Sequence, residues 1–460
     1  MAHSLRTQSS TWLRLPVWAL ALLLAAGWIL AIAPQQSEAE DWPQWRGQER
    51  DGKAPSTGLL QSWPEAGPPL AWQAAGLGSG FSSVSVADGK VFTLGDKEGS
   101  QHAFALEDGS GKLLWAKEIG PSWDDRYLGP RSTPTYSDGQ VFVLSTEGDL
   151  YCLDAATGET HWQRNLPKDF GGHLMLAQGR VHWKFAESPL VDGDRVIVTP
   201  GANDAALVAL DRKSGEEIWR TQLPQDLGPA GLDGAGYSSV VISNAVGTKQ
   251  YVQLLGRGVI GVDAASGKFL WAYNKVANDI ANIATPLVDG DYIFASTGYN
   301  TGSALIHLQS VKGENGRSSI QAEEVYFLPG NKMQNHHGGL ILHRDHVFTG
   351  TGHNKGLPLA VRLKDGEIAW GPERNKGKSS AAIAYADGRL YLRYQDGLVI
   401  LAEATPEAYR EHGSFRIPNV EHESWPHPVI AHGLLYLREQ DKLYVYDLRA
   451  PQASSEAAAR

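Results

Sequence analysis

The chain has 460 residues, of which 42% are hydrophobic and 20% are charged, so it is long enough to bury a large core. Its 41 basic and 51 acidic residues give a net charge of −10, and the absence of a basic run argues against nucleic-acid binding. The single cysteine, Cys152, excludes an intrachain disulfide, a C-x-x-C-H haem attachment and a cysteine-rich zinc site. We interpret Cys152 as a small buried hydrophobic residue on a strand.

Residues 1–39 have the layout of a secretory signal peptide. Arg6 and Arg14 precede an apolar stretch at residues 17–33, and the small residues Ser37 and Ala39 follow it. The apolar stretch is long for a signal, because a membrane span starts at about 17 residues. An uncleaved N-terminal membrane anchor is therefore the alternative. Both interpretations predict an exported protein of the periplasm or cell envelope, with membrane contact only through this possible anchor.

Residues 40–69 form an N-terminal extension ahead of the first repeat, and they open with DWPQWRGQERDG. Trp42 and Trp45 indicate either a surface platform or a clip under the folded domain. We favour the clip, since paired exposed tryptophans are uncommon in a soluble protein that has no partner.

Five stretches then share one pattern, with an acidic first position in all but the last. Each has a Ser/Thr-Gly or Asp-Gly turn followed by a tryptophan four residues after the glycine; these tryptophans are Trp115, Trp162, Trp219, Trp271 and Trp370. Adjacent copies recur at roughly 45 to 55 residues, which is typical of propeller blades of four strands. Such a unit cannot bury its own faces and must stack on its neighbours. We expect each tryptophan to pack on the next blade.

Eight units begin in the chain, so we predict an all-β fold, an eight-bladed β-propeller of four-stranded antiparallel blades over residues 70–449. In the fifth and seventh units Phe327 and Phe415 replace the tryptophan. The eighth unit stops after its third strand, and PPLAWQA (residues 68–74) offers the missing one, with Trp72 in the docking position. An N-terminal strand would then close the ring and remove the open edge. The tail, residues 450–460, is predicted to be disordered.

The loops that enter each blade should converge at one mouth of the central channel, where propellers commonly bind ligands. Such a convergence of polar groups in a concavity is the default binding site; the alternative is a solvated rim of mutually paired groups. The candidate residues at equivalent positions of successive repeats are Arg131, Glu187, Tyr237, Asn282, His336, His337, Lys378 and His427.

The sequence gives little indication of a metal site or of a nucleotide-binding loop. His336 and His337 are adjacent, so on a strand they face opposite sides, and we predict no metal site. A zinc site that adds His343, His346 or His353 is the alternative, but these histidines lack the close ligand spacing of zinc motifs. Neither a glycine-rich phosphate loop between a strand and a helix nor a G-x-S-x-G motif is present.

The repeated turn-and-tryptophan motif resembles the PQQ-like β-propeller repeats of the quinoprotein alcohol dehydrogenase-like superfamily. DWPQWRGQERDG, NHHGGLIL (residues 335–342) and SWPHPVIAHGLLYLREQD (residues 424–441) further resemble an envelope subgroup common in planctomycete-type genomes. Two better understood relatives differ in function. The quinoprotein dehydrogenases oxidise alcohols with PQQ and Ca²⁺ on the propeller axis, whereas the propeller lipoprotein of the outer-membrane β-barrel assembly machinery binds partner proteins without a cofactor.

The chain departs from both relatives. One cysteine cannot form the adjacent-cysteine disulfide typical of the dehydrogenases, and no position matches their calcium ligands or catalytic Asp. The lipidated cysteine of the assembly protein is also missing. We therefore expect a binding or scaffolding propeller without a cofactor, whose partner is an envelope protein or a polymer. A PQQ- and calcium-dependent oxidoreductase and a glycan-binding propeller are the alternatives.

Overall fold

The computed structural model describes Met1 and residues 40–123, 127–176, 183–313 and 318–451. Its described residues form eight four-stranded antiparallel sheets, and seven of these sheets use four strands consecutive in sequence. The predicted eight-bladed β-propeller is therefore confirmed.

The first four blades contain strands β2 to β17. Blade 1 consists of β2 (Ser85–Ala87), β3 (Lys90–Lys97), β4 (Ser100–Glu107) and β5 (Leu113–Pro121). Blade 2 consists of β6 (Thr135–Ser137), β7 (Gln140–Leu144), β8 (Asp149–Asp154) and β9 (Thr160–Asn165). Blade 3 consists of β10 (Leu190–Asp192), β11 (Arg195–Val198), β12 (Val208–Asp211) and β13 (Glu217–Arg220). Blade 4 consists of β14 (Val241–Ser243), β15 (Gln250–Leu255), β16 (Gly258–Asp263) and β17 (Phe269–Tyr273).

The last four blades contain β18 to β32 and the N-terminal strand. Blade 5 consists of β18 (Leu287–Asp289), β19 (Tyr292–Thr297), β20 (Gly302–Lys312) and β21 (Ser318–Pro329). Blade 6 consists of β22 (Ile341–His343), β23 (His346–Thr351), β24 (Leu357–Arg362) and β25 (Ile368–Trp370). Blade 7 consists of β26 (Ala381–Ala386), β27 (Arg389–Tyr394), β28 (Leu398–Glu403) and β29 (Glu411–Arg416). Blade 8 consists of β30 (Val429–Ala431), β31 (Leu434–Glu439), β32 (Lys442–Asp447) and β1 (Leu70–Ala74).

The ring is closed by strand β1, as the eighth unit predicted. It pairs antiparallel with β32, placing Trp72 opposite Val445 and Ala74 opposite Leu443. Little other regular structure is present in the described residues: helix α1 (Leu166–Phe170), capped by Asn165, and a 3₁₀ turn at Ala245–Gly247. No helix in these described ranges is both long and apolar enough to cross a membrane. The predicted signal or anchor and most of the predicted disordered tail lie outside the described residues.

The repeated turn places each tryptophan against a neighbouring glycine. In the third blade Asp211 accepts hydrogen bonds from the main-chain N–H groups of Lys213 and Ser214, at 3.0 and 2.8 Å, which forms the expected Asx turn. The turn glycine of the next blade, Gly267, has a φ of 73° and lies under the Trp219 ring, where a Cβ atom would approach to 2.4 Å. Glycine is needed there for both its conformation and its lack of a side chain.

The same contact recurs around the ring, with local variations. Trp72, Trp115 and Trp162 cover Gly111, Gly158 and Gly215 of the following blades. Trp115, Trp162 and Trp370 also donate their indole N–H to a carbonyl of the next blade, on Ala155, Arg212 and Thr405. Trp271 instead donates to Gln250 of its own blade, at 2.6 Å, while its ring belongs to the apolar cluster between blades 4 and 5.

Blade 5 differs from the sequence prediction. Tyr326, rather than Phe327, lies over the next turn glycine, Gly366, and its hydroxyl donates to the carbonyl of Leu363 at 2.6 Å. The reason is the strand register. In a regular blade such as blade 3, a β-bulge lies next to the pair formed by Trp219 and Ala209. In blade 5 the equivalent bulge lies next to the pair formed by Tyr326 and Leu305, so Tyr326 occupies the tryptophan position. Phe327 lies one residue further on. In blade 7 Phe415 contacts Gly67 and Tyr446 and so does reach the last blade.

A buried charged cluster lies where the two ends of the propeller meet. His432 of blade 8 contacts Asp41 of the extension at 2.8 Å and Asp108 of blade 1 at 3.3 Å, while Tyr436 donates to Asp108 at 2.7 Å. Burial disfavours the charged imidazole, but the two carboxylates outweigh that penalty and raise the pKa of His432 to about 9. The protonated ring therefore connects blade 8, blade 1 and the extension at neutral pH.

Removing one docking ring should destabilise the whole propeller. Trp219 is 8% exposed and its indole nitrogen has no hydrogen-bond partner among the described residues, so Trp219→Ala removes apolar contact alone. We expect a loss of about 3–5 kcal/mol in unfolding free energy, measured by denaturant titration, and a smaller loss for Trp219→Phe. A midpoint unchanged by the alanine variant would contradict this role.

The His432 cluster predicts a pH-dependent stability. A pKa raised on folding means that the stabilisation is fully present below the ordinary histidine value, about 6.5, and is lost as the pH rises through about 9. Thermal unfolding from pH 6 to 10 should therefore show a growing loss of stability in the wild-type protein that is reduced in His432→Asn. Equal pH slopes for the two proteins would rule out this contribution.

Candidate functional site

The N-terminal extension, residues 40–69, contacts every blade: residues 42–54 lie along the inner strands, and residues 59–63 run outward along blades 7 and 8. Its main chain pairs with inner strands: Trp42 exchanges two 2.8 Å hydrogen bonds with Val86 of blade 1, and Pro43 accepts from Tyr136 of blade 2. On blade 7, Tyr385 donates to the carbonyl of Gly52 and accepts from Ala54. Leu60 donates to the carbonyl of Leu448, which directly follows the third strand of blade 8.

Two arginines of the extension reach the remaining blades. Arg50 donates to the carbonyls of Ser188, Pro189 and Val240, which precede the inner strands of blades 3 and 4. Arg46 donates to the carbonyls of Leu340, before blade 6, and of Asp51 within the extension. Both side chains are 3% exposed. Burial lowers the pKa of Arg46 to about 10 and that of Arg50 to about 9, so both are still charged at neutral pH.

Trp45 completes the contacts with blade 5 and forms part of a cavity. Its indole N–H donates to the hydroxyl of Thr285 at 2.9 Å, and its ring lies 4.5 Å from that of His427. Trp45 and Arg46 line one side of a cavity of about 210 Å³ at the channel end where the inner strands begin. The extension lies deeper along those strands and forms the floor of this space, which we call the axial cavity.

The walls of the axial cavity are mostly aromatic. On the side of blades 8 and 1, the Trp425 ring lies 4.6 Å from Phe81 and 4.9 Å from Tyr127. On the side of blades 3 and 4, Trp183 meets Tyr237 edge to face at 5.6 Å. All five rings line the cavity. An apolar concavity with a few convergent polar groups is the usual form of a small-ligand site.

Five of the eight predicted mouth residues line the axial cavity, and three do not. The five are Arg131, Tyr237, His336, His337 and His427. Glu187 is buried beside the channel, where its carboxylate accepts from the main-chain N–H of Thr199. Asn282 is fully buried and its amide donates to the carbonyls of Leu255 and Gly256, both at 3.0 Å. Lys378 is exposed and does not line the cavity.

The histidines of the cavity are neutral imidazoles. Burial lowers the pKa of His336 to about 2, with the nearby His337 and His353 adding to the effect. Burial likewise lowers the pKa of His337 and His427 to about 3, and the charged Arg46 disfavours a proton on His427. His336 contacts the hydroxyl of Ser380 at 2.7 Å. These rings can donate and accept hydrogen bonds, but they add no charge to the cavity.

The donor set does not fit calcium. Ca²⁺ takes six to eight oxygen ligands that usually include carboxylates, and the described lining of the cavity contains no Asp or Glu. Nor do the described residues include any group of three His, Cys, Asp or Glu side chains arranged to hold a metal ion. Of the histidines in the zinc alternative, His343 stacks on Tyr385 at 4.5 Å and His346 contacts Asp345, whereas the His353 ring lies 4.3 Å from that of His336.

The sequence prediction missed Trp45 and Arg46 on the floor of the cavity and Trp183 and Trp425 in its walls. Trp45 and Arg46 come from the extension, which was interpreted as a clip under the propeller rather than as a segment inside its channel. The repeated arginines of WRGQER were the available signal, because a buried arginine needs several carbonyl acceptors. Trp183 and Trp425 lie in irregular entry loops, where no periodic pattern marks the facing side.

Fold and site together define the class: a propeller of PQQ-like repeats whose channel is filled from one side by its own N-terminal extension. The family model described as outer membrane protein assembly factor BamB matches residues 99–371, and the chain belongs to this family. The resemblance to PQQ-like repeat propellers is thereby confirmed.

Individual relatives include both enzymes and assembly factors. The chain is 28% identical over 175 residues to quinohemoprotein alcohol dehydrogenase ADH IIB of Pseudomonas putida, covering 37% of this chain but only 23% of that protein. It is 22% identical over 440 residues to tetrathionate hydrolase of Acidithiobacillus ferrooxidans, covering 86% of this chain and 80% of that protein. It is 26% identical over 223 residues to outer membrane protein assembly factor BamB of Kangiella koreensis, covering 47% of this chain and 48% of that protein.

Solved structures support the fold alone. Quinohemoprotein alcohol dehydrogenase from Comamonas testosteroni has a TM-score of 0.60 at 13% identity, over 91% of this chain and 82% of that one. BamB from Moraxella catarrhalis has a TM-score of 0.50 at 14% identity, over 77% of this chain and 95% of that one.

Truncating one channel arginine should weaken the propeller. Arg50→Ala removes the donor for the buried carbonyls of Ser188 and Val240, while the Pro189 carbonyl keeps its hydrogen bond from the Thr135 hydroxyl. Each unpaired buried group costs about 1–3 kcal/mol, so we expect the unfolding free energy to fall by at least about 2 kcal/mol, measured by denaturant titration. Arg449→Ala, which removes an exposed ion pair with Asp447, is the matched control and should change stability by less than about 1 kcal/mol. Equal losses in the two variants would contradict the role of Arg50.

Proposed function

We propose that the chain is an exported propeller of the cell envelope that binds or scaffolds a partner molecule through the axial cavity. The observation that carries this proposal is the cavity itself, which has aromatic walls at one mouth and a floor made by Trp45 and Arg46. A floor of the chain's own residues, held by buried arginines, keeps the site preformed. Preformed sites bind without the cost of ordering their own loops.

Family membership agrees with a binding role in the envelope. Relatives in this family are named as outer membrane protein assembly factors. The apolar stretch at residues 17–33 supports export of the chain, and its acidic composition is compatible with a soluble domain. The partner is then an envelope protein or polymer with a group small enough to enter the cavity.

The second candidate function is a quinoprotein oxidoreductase, which the similarity to the alcohol dehydrogenases favours. Aromatic walls on the propeller axis could hold a flat quinone. The missing carboxylates argue against its calcium partner, and about 210 Å³ is below the usual 300–1,000 Å³ of small-molecule sites. We therefore place binding ahead of redox catalysis.

One pair of assays separates the two functions. The purified protein, given PQQ, Ca²⁺, primary alcohols and an artificial electron acceptor, should reduce no dye above background. Immobilised on a resin, it should retain a component of envelope extract, and Trp183→Ala should reduce that retention about tenfold or more. Tyr292→Ala, which removes an exposed ring on β19 outside the cavity, is the control and should leave retention unchanged. PQQ-dependent dye reduction that is lost in Trp183→Ala would establish the oxidoreductase instead.

A further inference from the structure

Two aromatic walls of the axial cavity face each other across the propeller axis. Trp425 lies in the loop that enters blade 8, and Tyr237 lies in the loop that enters blade 4. Blades 4 and 8 are opposite in a ring of eight, so the Trp425 wall and the Trp183–Tyr237 wall have the open space between them. Such an arrangement suits a flat ring that contacts an aromatic face on each side.

The edges of this space carry uncharged hydrogen-bonding groups. The indole N–H of Trp425 can only donate, and it donates to the Gln395 side-chain oxygen at 3.0 Å. This bond fixes the amide so that its NH₂ group is left as a donor at the cavity. The exposed Asn354 is similar, because its side-chain oxygen accepts from Ser380 at 3.0 Å and its NH₂ group is left over.

The charges around the cavity disfavour a cation. Its described lining has no carboxylate, and Arg46 and Arg131 both line it. Arg131 donates to the carbonyls of Gly129 and Tyr127 and lies 4.4 Å over the Trp123 ring, while Arg46 is bound to carbonyls below. Arg46 and Arg131 would repel an ammonium group between the walls, and the described lining offers it no carboxylate. The remaining described lining consists of aromatic faces, neutral imidazoles, amides, hydroxyls and a few small or aliphatic residues such as Ile283.

We infer that the axial cavity binds one uncharged sugar ring, the terminal residue of an envelope glycan. The C–H faces of a sugar carry partial positive charge and pack on the negative faces of aromatic rings, while its hydroxyls take up hydrogen bonds at the rim. The floor of Trp45 and Arg46 prevents a chain from threading the channel, so only an end can enter. This inference rests on the proposed function, because it names the ligand of the same cavity.

The test uses immobilised neutral mono- and disaccharides of glucose, galactose, mannose and N-acetylglucosamine, each attached through its reducing end. The intact protein should bind at least one of these probes saturably. Trp425→Ala and Trp183→Ala should each weaken that binding about tenfold or more, and Tyr292→Ala should leave it unchanged. A free sugar of the same kind should compete with the surface, and a cyclic oligosaccharide of the same units, which has no end, should compete less well.

Other outcomes overturn the inference in distinguishable ways. If no sugar probe is retained but the planar tricarboxylate PQQ or choline quenches tryptophan fluorescence in a Trp425-dependent manner, the ligand class is wrong and the cavity remains a binding site. Binding of a cyclic oligosaccharide as tight as that of its linear form would reject recognition of a chain end. If no probe binds and envelope extract yields no component sensitive to Trp183→Ala, the proposed function fails together with the ligand class.

Discussion

The inner edges of the eight blades impose the constraint on which this structure depends. Each inner strand has a row of main-chain N–H and C=O groups that face the channel, and unpaired polar groups shielded from water are costly. The extension meets that need by strand-like pairing at Val86 and Tyr385 and by arginine bonds at Val240 and Leu340. One short segment therefore holds together elements that are far apart in sequence. The outer tryptophans hold neighbouring blades together, whereas the extension acts on all eight at once.

The functional geometry follows from that same segment. Because the extension fills the inner part of the channel, the space left at the mouth is a cavity with a floor instead of a tunnel. Trp45 contributes both a structural bond to Thr285 and a cavity surface, so the residues that stabilise the ring also shape the site. Burial keeps the nearby histidines neutral, and main-chain carbonyls accept hydrogen bonds from Arg46 and Arg131. The described lining of the cavity is therefore mostly aromatic, and these two arginines are its charged groups. The site is therefore suited to binding by stacking and hydrogen bonding.

The fold could be predicted from the sequence because the repeated motif encodes a contact that recurs between blades. An acidic turn, a glycine and a tryptophan at fixed spacing predicted the blades, and the incomplete eighth unit predicted closure by strand β1. The prediction that Phe327 replaces the tryptophan of blade 5 was wrong because a β-bulge shifts the strand register by one residue. The insertion between β20 and β21 concealed this shift in the sequence. The entry-loop positions predicted Tyr237 and four other lining residues, but not Trp45, Trp183 and Trp425, which reach the cavity from segments without periodicity. Their meeting depends on the ring being closed.

Amide hydrogen exchange tests the central claim most directly. In the intact protein the N–H groups of Val86, Tyr136 and Tyr385, on the inner strands of blades 1, 2 and 7, donate to carbonyls of the extension. Mass spectrometry of peptides that cover Ser85–Ala87, Thr135–Ser137 and Ala381–Ala386 should show exchange as slow as that of the central strands of the same blades. Exchange at the rate of exposed loops would show that the extension does not occupy the channel, and the accounts of both the stability and the cavity would fail.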